Sequence, residues 1–324
     1  MALPSSGSIS FSQLAAELGN ACTNVGLRAY SACANLASPD SIIELYGKSC
    51  TPAYGAGVWS AGGVLSTGRC GLTGAGTQNE GLAIGGYSTN VGNVGCTEEY
   101  NGTSWSAGCV LITGRSYLAG AGTQNAGLAF GGSYPNGRCT EEYNGTSWSA
   151  GCLLIVSRSG LAGAGTQNEA LAFGGYPYFN TEEYNGTSWS TGGVMITPQS
   201  LLGGAGTQNA GLAFGGFFNG GLSCTEEYNG SLWSTGGVMI IANHSLGGAG
   251  TQNAGLAFGG NSLVCTEEYN GTSWSTGGEM ITGRSDLAGA GTQNAGLAMG
   301  GFGGGSEITT AEEYNKSITG KCLA

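Results

Sequence analysis

The chain has 324 residues, and 66 of them are glycine, a proportion far above that of ordinary globular proteins. Hydrophobic residues make up 40% of the sequence and charged residues only 9%, so the chain is too apolar for a solvated disordered polymer and can bury a core. Nine basic residues oppose 20 acidic ones, and the net charge of −11 argues against nucleic acid as a partner.

No apolar run approaches the roughly 20 residues that a membrane helix needs. The start MALPSSGSIS lacks the basic region and the apolar stretch of a signal peptide. We therefore expect no membrane insertion and no export by the general secretory route. The 11 cysteines are an odd number, so at least one stays unpaired, and their count does not indicate the redox compartment.

A short motif, GAGTQN, occurs six times at intervals of a little over forty residues. Each copy is followed by an apolar segment that ends in a glycine pair, then by Glu-Glu-Tyr and, in all but the last copy, by a tryptophan. Self-similarity at a fixed period indicates a tandem repeat. The copies begin at Gly74, Gly120, Gly163, Gly204, Gly248 and Gly289.

Each repeat contains four short strand-like runs separated by turn-forming residues, and none of them has the length or the period of a helix. Four antiparallel strands, repeated six times, predict an all-β protein with the fold of a six-bladed β-propeller, in which the blades bury their faces against one another. Ala and Gly alternate in the segment LAGAG. This segment is the predicted innermost strand, because larger side chains would not fit where six strands crowd around an axis.

The repeat resembles that of the kelch family over residues 54 to 315. The glycine pair Gly131-Gly132, Tyr143 and Trp148 occur in the order and spacing of a kelch repeat. The resemblance implies a kelch-like propeller. Kelch repeats commonly carry an arginine at one further position, which four repeats here retain and two replace: Arg69, Arg115, Arg158, Arg284, Gln199 and Asn243.

The two ends of the repeat array are complementary. The first repeat has Trp59 without a preceding Glu-Glu-Tyr, and the last has Glu312, Glu313 and Tyr314 without a following tryptophan. We expect the two ends to share one blade and to close the ring, which removes the sheet edges that an open array would expose. The predicted propeller spans residues 51–324.

An Asn-Gly turn between the tyrosine and the tryptophan of a repeat predicts a tight hairpin, because both turn residues tolerate positive φ. Counting outward from this turn places Cys139 opposite Cys152 and Cys96 opposite Cys109. Facing positions are close enough for a disulfide. Two disulfides, Cys96–Cys109 and Cys139–Cys152, and free buried thiols are both compatible with this register.

Groups for catalysis and metal binding are scarce. His244 is the only histidine, and Asp40 and Asp286 are the only aspartates, so acid–base and triad chemistry is poorly supplied. Most acidic residues form Glu-Glu pairs, whose adjacent side chains point to opposite faces of a strand. No Cys-x-x-Cys pair or Asp-rich loop indicates a zinc or calcium site. We expect no enzymatic activity, no metal and no cofactor.

The two ends of the predicted propeller differ in sequence. The GTQN and NGTS turns at one end repeat almost unchanged, and we call this end the uniform face. The loops at the other end, the variable face, differ in length and composition, and such loops on a rigid scaffold usually carry recognition. Aromatic residues concentrate there, and they either bind a sugar or a protein or fold into the core or a subunit contact. These residues are Tyr87, Tyr134, Tyr176, Tyr178, Phe179, Phe217, Phe218 and Phe302.

The N-terminal segment, residues 1–50, predicts two short helices. A capping box that begins at Ser10 opens a helix that ends at Gly19, and Ser38 caps a second helix with Pro39 in its first turn. The sequence MALPSSGSISFSQLAAELG, followed by SIIELYGKS, resembles the start of many bacteriophage virion proteins, in particular tail fibres and other tail-associated proteins. In that family the segment precedes repetitive or receptor-facing domains, which implies attachment to other virion proteins.

The resemblances imply a non-enzymatic structural protein of a phage virion, located in the tail (fibre, spike or baseplate) rather than the capsid. Its variable face is expected to bind a host surface polysaccharide or a neighbouring virion protein, and the chain is expected to form a homo-oligomer in the particle. A capsid decoration or head-fibre protein is one alternative. An intracellular kelch-type adaptor that holds a protein partner is another.

Overall fold

The computed structural model describes residues 49–323, with side chains described from 55 to 317. The two helices predicted near the N-terminus lie outside the described residues. The regular secondary structure of the described residues consists of β-strands. These residues contain no helix that is long and apolar enough to span a membrane. The strands are β1 (Ser49–Tyr54), β2 (Val58–Val64), β3 (Thr73–Gly76), β4 (Gly81–Ile84), β5 (Tyr87–Ser88), β6 (Gly92–Asn93), β7 (Thr97–Tyr100), β8 (Trp105–Ala107), β9 (Ala119–Thr123), β10 (Ala126–Phe130), β11 (Thr140–Tyr143), β12 (Trp148–Ala150), β13 (Ala162–Gly165), β14 (Ala170–Phe173), β15 (Thr181–Tyr184), β16 (Trp189–Thr191), β17 (Gly203–Thr207), β18 (Ala210–Phe214), β19 (Thr225–Tyr228), β20 (Trp233–Thr235), β21 (Gly247–Thr251), β22 (Ala254–Phe258), β23 (Thr266–Tyr269), β24 (Trp274–Thr276), β25 (Ala288–Thr292), β26 (Ala295–Met299), β27 (Phe302–Gly303), β28 (Ser306–Glu307), β29 (Thr310–Asn315) and β30 (Ile318–Leu323).

Six four-stranded antiparallel sheets make up one compact unit, Val58–Asn315. Their innermost strands contact one another in a closed sequence that runs from β3 through β9, β13, β17, β21 and β25 and returns to β3. The fold is therefore a six-bladed β-propeller, and the prediction from the repeat count is confirmed. The blades, each from its innermost strand outward, are blade 1 (β3, β4, β7, β8), blade 2 (β9 to β12), blade 3 (β13 to β16), blade 4 (β17 to β20), blade 5 (β21 to β24) and blade 6 (β25, β26, β29, β2).

Blade 6 joins the two ends of the propeller. Its outermost strand β2 pairs with β29, and Trp59 lies opposite Tyr314. The predicted sharing of one blade by the two ends is confirmed. A separate two-stranded sheet pairs β1 with β30 and places Cys50 opposite Cys322 in its register. The propeller unit, Val58–Asn315, therefore has fewer residues than the predicted span of 51–324.

Glycine on the innermost strands allows the six blades to approach the axis. A Cβ atom on Gly248 would lie 2.6 Å from the carbonyl oxygen of Gly204 in the preceding blade. A Cβ atom on Gly163 would lie 2.7 Å from the carbonyl oxygen of Gly120. Both distances are shorter than van der Waals contact, so the alternation of Ala and Gly follows from the packing of backbone against backbone.

Hydrophobic cores lie between neighbouring blades. Between blades 2 and 3, Phe130 packs on Trp189 with ring centroids 5.0 Å apart, and Leu128 and Tyr184 are buried beside them. Equivalent clusters occupy the other five gaps. An aromatic pair of this kind contributes about 1 kcal/mol beyond the area it buries, so much of the stabilisation arises between blades.

The tryptophan indoles also form hydrogen bonds between blades. Trp148 Nε1 donates to Thr97 Oγ1 in the preceding blade at 3.0 Å. Four further tryptophans make the same bond. In five blades the threonine before the Glu-Glu pair is therefore the acceptor that allows the indole N–H to be buried.

The first glutamate of each Glu-Glu pair is buried and holds the loop that enters its blade. Glu141 accepts the backbone N–H groups of Ile112 at 2.7 Å and Thr113 at 3.3 Å. It also pairs with the buried guanidinium of Arg115 at 3.3 Å. Blades 1, 3 and 6 repeat the ion pair with Arg69, Arg158 and Arg284.

Blades 4 and 5 have this buried glutamate without the arginine. Gln199 and Asn243 occupy the position of the arginine and are themselves buried. In blade 5 burial raises the pKa of Glu267. The carboxylate of Glu267 accepts hydrogen bonds from the N–H groups of Ile240 and Ile241, and these bonds lower its pKa. The carboxylates of these two blades are thus held by amide groups instead of by a cation.

The second glutamate of each pair accepts a tyrosine hydroxyl from the next blade. Tyr143 donates to Glu99 at 2.5 Å. The same bond recurs around the ring, and the last one joins Tyr100 to Glu313 at 2.6 Å. Both glutamates of the pair therefore have structural partners, and they lie on opposite faces of the strand as predicted.

The glutamine of GTQN links neighbouring blades at the uniform face. Gln124 donates its Nε2 hydrogens to the carbonyl oxygens of Gly81 at 3.0 Å and Tyr100 at 2.6 Å, both in blade 1. The other five glutamines make the same two bonds. This explains why the motif is repeated without change.

Candidate functional site

The variable face is built from the loops between the second and third strands of each blade and the loops that enter each innermost strand. The former are residues 85–96, 131–139, 174–180, 215–224, 259–265 and 300–309. They differ in length from blade to blade, and two contain short hairpins, β5 with β6 and β27 with β28. This face contains all eight aromatic residues predicted to line a binding rim.

Six residues, one before each innermost strand, form a closed ring of backbone hydrogen bonds around the axis. The N–H group of Tyr117 donates to the carbonyl oxygen of Gly71 at 2.7 Å, and the N–H group of Gly71 donates to that of Asp286 at 2.8 Å. Each member has a positive φ, which directs its N–H group to the preceding blade. We call these residues the axial ring: Gly71, Tyr117, Gly160, Leu201, Ser245 and Asp286.

Four of the eight aromatic residues are held next to the axial ring. Each comes directly after a glycine pair, and its N–H and C=O groups form two backbone hydrogen bonds with the residue that precedes a ring member. In blade 4 these bonds join Phe217 to Ser200, at 2.7 and 3.2 Å. Aromatic residues of four blades are therefore fixed through their backbones to the segments that carry the axial ring: Tyr87, Tyr176, Phe217 and Phe302.

A small cavity opens at the axial ring. Its volume is about 70 Å³, and it is lined by ring members and by the leucines that follow them. We call it the axial mouth. Asp286, Ser245 and Tyr117 contribute its polar side chains, and Leu201 faces them with an apolar one.

Asp286 is the only charged member of the axial ring. Burial raises the pKa of its carboxyl group, while hydrogen bonds from Ser245 and Ser285 and the neighbouring His244 act in the opposite direction. Burial, followed by the negative charges of Asp286 and Glu307, raises the pKa of the Cys70 thiol to about 11. The axial mouth therefore contains one acidic side chain, that of Asp286.

Tyr117 supplies a hydroxyl group to this site. Its ring lies against Gly71, where an added Cβ atom would be 3.4 Å from the ring carbons. Burial and the charge of Asp286 raise the pKa of Tyr117 to about 12, so its hydroxyl is protonated at neutral pH and can donate a hydrogen bond. The mouth thus combines a carboxylate acceptor with hydroxyl donors.

The other four aromatic residues lie farther from the axis. Tyr134 is 90% exposed. Phe179 and Phe218 meet edge to face with ring centroids 6.0 Å apart, and this contact joins the loops of blades 3 and 4. Tyr178 and Phe179 also line a groove of about 320 Å³ together with Val194, Ile196 and two prolines. None of the eight predicted aromatic residues is buried in the core.

The four cysteines predicted to pair are free thiols. The tyrosine–tryptophan register of the hairpins is confirmed, but in blade 2 the outer strand ends at Ala150, two residues before Cys152. Cys139 lies beside Arg115 between the blades, whereas Cys152 is exposed. The predicted disulfides are not formed because the outer strand stops short of them: Cys96–Cys109 and Cys139–Cys152.

Exposed aliphatic side chains form a second feature of this face. They occur in pairs that flank a buried Leu or Met in the loops between blades, as Val194 and Ile196 flank Met195. The pattern is complete in four loops and is interrupted by Ser66 and Glu279 in the two loops that flank blade 6. The exposed members of the complete pairs are Val110, Ile112, Leu153, Ile155, Val194, Ile196, Val238 and Ile240.

Neither the axial ring nor these aliphatic pairs was predicted from the sequence. Aligning the six repeats places Asp286 in a column with Gly71, Tyr117, Gly160, Leu201 and Ser245, where it is the only charged residue. This column was the available signal for a special role of Asp286.

Comparison of the chain with models of protein families and with curated proteins found no match in either. Among the described residues, no group of three or more His, Cys, Asp or Glu side chains is placed to hold a metal ion. The class that the fold defines is the six-bladed β-propeller, with a small axial mouth on its variable face that Asp286 lines.

Proposed function

We propose that this chain is a structural protein of a bacteriophage tail that binds a host surface glycan through its variable face, without catalysis. The observation that carries the proposal is that aromatic residues of four blades pair through their backbones with the segments that hold the axial ring, on the face where Asp286 lines the axial mouth. The apolar C–H face of a sugar ring packs on aromatic rings. Its hydroxyl groups donate hydrogen bonds, which a carboxylate can accept.

One resemblance in the sequence supports the location in a virion. Residues 1–50 resemble the N-terminal segment of tail-associated phage proteins. On this proposal residues 1–50 attach the chain to other virion proteins, and several copies assemble in the particle. Mass spectrometry and antibody labelling of purified particles test this part. Labelling confined to the capsid would favour a decoration or head-fibre protein instead.

Binding to sugars is tested with the purified full chain on an array of bacterial surface polysaccharides. The test variant replaces Tyr176, Tyr178 and Phe179 by alanine. The control variant is Leu232→Ala, which removes an exposed apolar side chain from a turn of the uniform face. We expect the triple variant to lose binding and the control to retain it. Unchanged binding by the triple variant would reject these residues as the recognition surface.

A neighbouring virion protein is the second candidate ligand. The exposed aliphatic pairs between blades favour it, because apolar side chains repeated over several blades are typical of protein interfaces. An intracellular kelch-type adaptor would use the same surface. A purified chain that is monomeric, reduced and absent from particles would favour the adaptor over the virion protein.

A further inference from the structure

We propose that the axial mouth selects sugars that carry no negative charge, and that Asp286 sets this selectivity. The inference rests on the proposed function and names the class of ligand. It follows from the distribution of charge over the propeller, from the shape of the mouth and from the hydrogen-bonding groups that face it.

The propeller unit offers almost no cation to an acidic ligand. Val58–Asn315 contains five arginines and no lysine. Four of the arginines are buried in ion pairs with glutamates of the blades. The fifth, Arg138, is exposed, and its Nε donates to the carbonyl oxygen of Leu154 at 2.6 Å in a loop between blades. The unit's one histidine, His244, lies beside Asp286. A sugar carboxylate, sulfate or phosphate at the axial mouth would therefore find no arginine or lysine there, the partners that such groups usually require.

Two negative groups instead lie on the variable face, and one of them lines the axial mouth. Asp286 lines the cavity itself. Glu307, in the neighbouring loop of blade 6, accepts hydrogen bonds from Thr89 N at 2.9 Å and Thr89 Oγ1 at 3.3 Å. The N–H group of Thr89 lowers the pKa of Glu307, which keeps this carboxylate ionised. An anionic sugar at the axial mouth would thus meet the acidic side chain of Asp286 and no arginine or lysine.

The size of the mouth limits which part of the ligand enters. Its volume of about 70 Å³ is roughly that of two water molecules. One or two hydroxyl groups on the edge of a sugar fit there, whereas a whole ring does not. Asp286 can accept from these hydroxyls and Tyr117 can donate to them. The ring itself would then lie outside, against Phe217 and the other aromatic side chains next to the axial ring.

The test compares binding of the full chain to a neutral glucan, a neutral mannan and a polyuronate. The variant is Asp286→Asn, because asparagine tolerates the positive φ of this position and retains the size of the side chain. The matched control is Glu80→Gln, which removes one exposed carboxylate from the uniform face. Unfolding midpoints of both variants establish that the fold is retained.

We expect the wild-type chain to bind a neutral polymer and not the polyuronate. Asp286→Asn should weaken neutral binding on the order of tenfold, since a hydrogen bond to a charged acceptor is exchanged for one to an amide. Asp286→Asn should also strengthen binding of the polyuronate. Glu80→Gln should leave the binding of both kinds of polymer unchanged. The inference fails if the polyuronate binds as tightly as the neutral polymers, or if Asp286→Asn leaves the preference unchanged; the proposed function survives both results. Absence of binding to any polysaccharide overturns the proposed function as well.

Discussion

Trp105 of blade 1 faces Ala311 of blade 6, where the other five tryptophans face a threonine. The indole Nε1 of Trp105 is buried and has no hydrogen-bond partner. Each of the other indoles donates to the hydroxyl group of a threonine in the preceding blade. The blade that closes the ring therefore lacks one interaction that every other blade supplies to its neighbour.

Replacing Ala311 by threonine should supply the missing acceptor. Gly62 lies beside Ala311 as Gly108 lies beside Thr97, so the added atoms meet the same small neighbour. We expect Ala311→Thr to raise the free energy of unfolding by about 1 kcal/mol, the usual net contribution of a hydrogen bond. Chemical denaturation measures the change. Thr140→Ala is the reverse control and should lower stability by at least as much, because Thr140 is the acceptor of the Trp189 indole N–H group; a loss of stability in Ala311→Thr would contradict the argument.

The buried glutamates should respond differently to neutralisation, according to whether an arginine accompanies them. Glu312→Gln leaves the buried Arg284 without its carboxylate and should lower stability by about 3–5 kcal/mol. Glu267 has no arginine, so Glu267→Gln should cost only the one backbone N–H bond that the amide nitrogen cannot accept, about 1–2 kcal/mol at neutral pH. Equal losses in the two variants would show that the arginine does not determine the effect.

Stability should also depend on pH through Glu267. Its pKa in the folded protein is raised, so the folded state binds the proton more tightly than the unfolded state does. The contribution of this group to stability is therefore largest below its unfolded pKa and falls as the pH rises through the folded value. The ordinary pKa of a glutamate is 4.5. Above this pH, the free energy of unfolding measured with urea should therefore decrease less with rising pH in Glu267→Gln than in the wild-type chain. An unchanged pH profile would argue against it.

Glycine at the axis should not tolerate a side chain. Gly248→Ala would place a methyl group 2.6 Å from the carbonyl oxygen of Gly204, which is backbone and cannot move aside. We expect a loss of about 3 kcal/mol, at the upper end for overpacking. The neighbouring change Ala249→Gly also alters one methyl group and should cost only about 1 kcal/mol. Thermal unfolding of the two variants distinguishes crowding at the axis from a general sensitivity of this strand.

Removing part of blade 6 should open the ring. A chain that ends at Thr310 lacks Tyr314 and both glutamates that hold the neighbouring blades. We expect it to lose cooperative unfolding and to associate through the exposed edge of the sheet. A chain that ends at Ser317 retains the whole propeller unit and should unfold as the full chain does. Size-exclusion chromatography and circular dichroism separate the two outcomes.

The sequence was sufficient to predict the fold because the repeat signals were redundant. Six GAGTQN motifs gave the number of blades, and the unmatched Trp59 and Tyr314 gave the closure. The hairpin register also followed from the Asn-Gly turn, whose dihedral preferences are local. The sequence left disulfides and free thiols both open for four cysteines, and the thiols are free, because a register can be extended only while both strands continue and the sequence does not mark where the outer strand ends.

The candidate site was predicted only in part. The aromatic residues were located on the correct face because loop variability is visible in a sequence. The role of Asp286 was not predicted, because it depends on a positive φ that six residues far apart in the chain share. Likewise, the two acceptors of Gln124 lie in the preceding blade, and only the assembled ring identifies them.

The backbone hydrogen bonds of the axial ring form a closed cycle, in which each member donates to the preceding member. Its six N–H···O=C bonds all run in the same rotational sense, so no donor or acceptor is left over at a terminus. Detaching any one blade would leave an orphan donor on one neighbour and an orphan acceptor on the other. The blades are therefore expected to separate together in a single transition instead of peeling away one at a time.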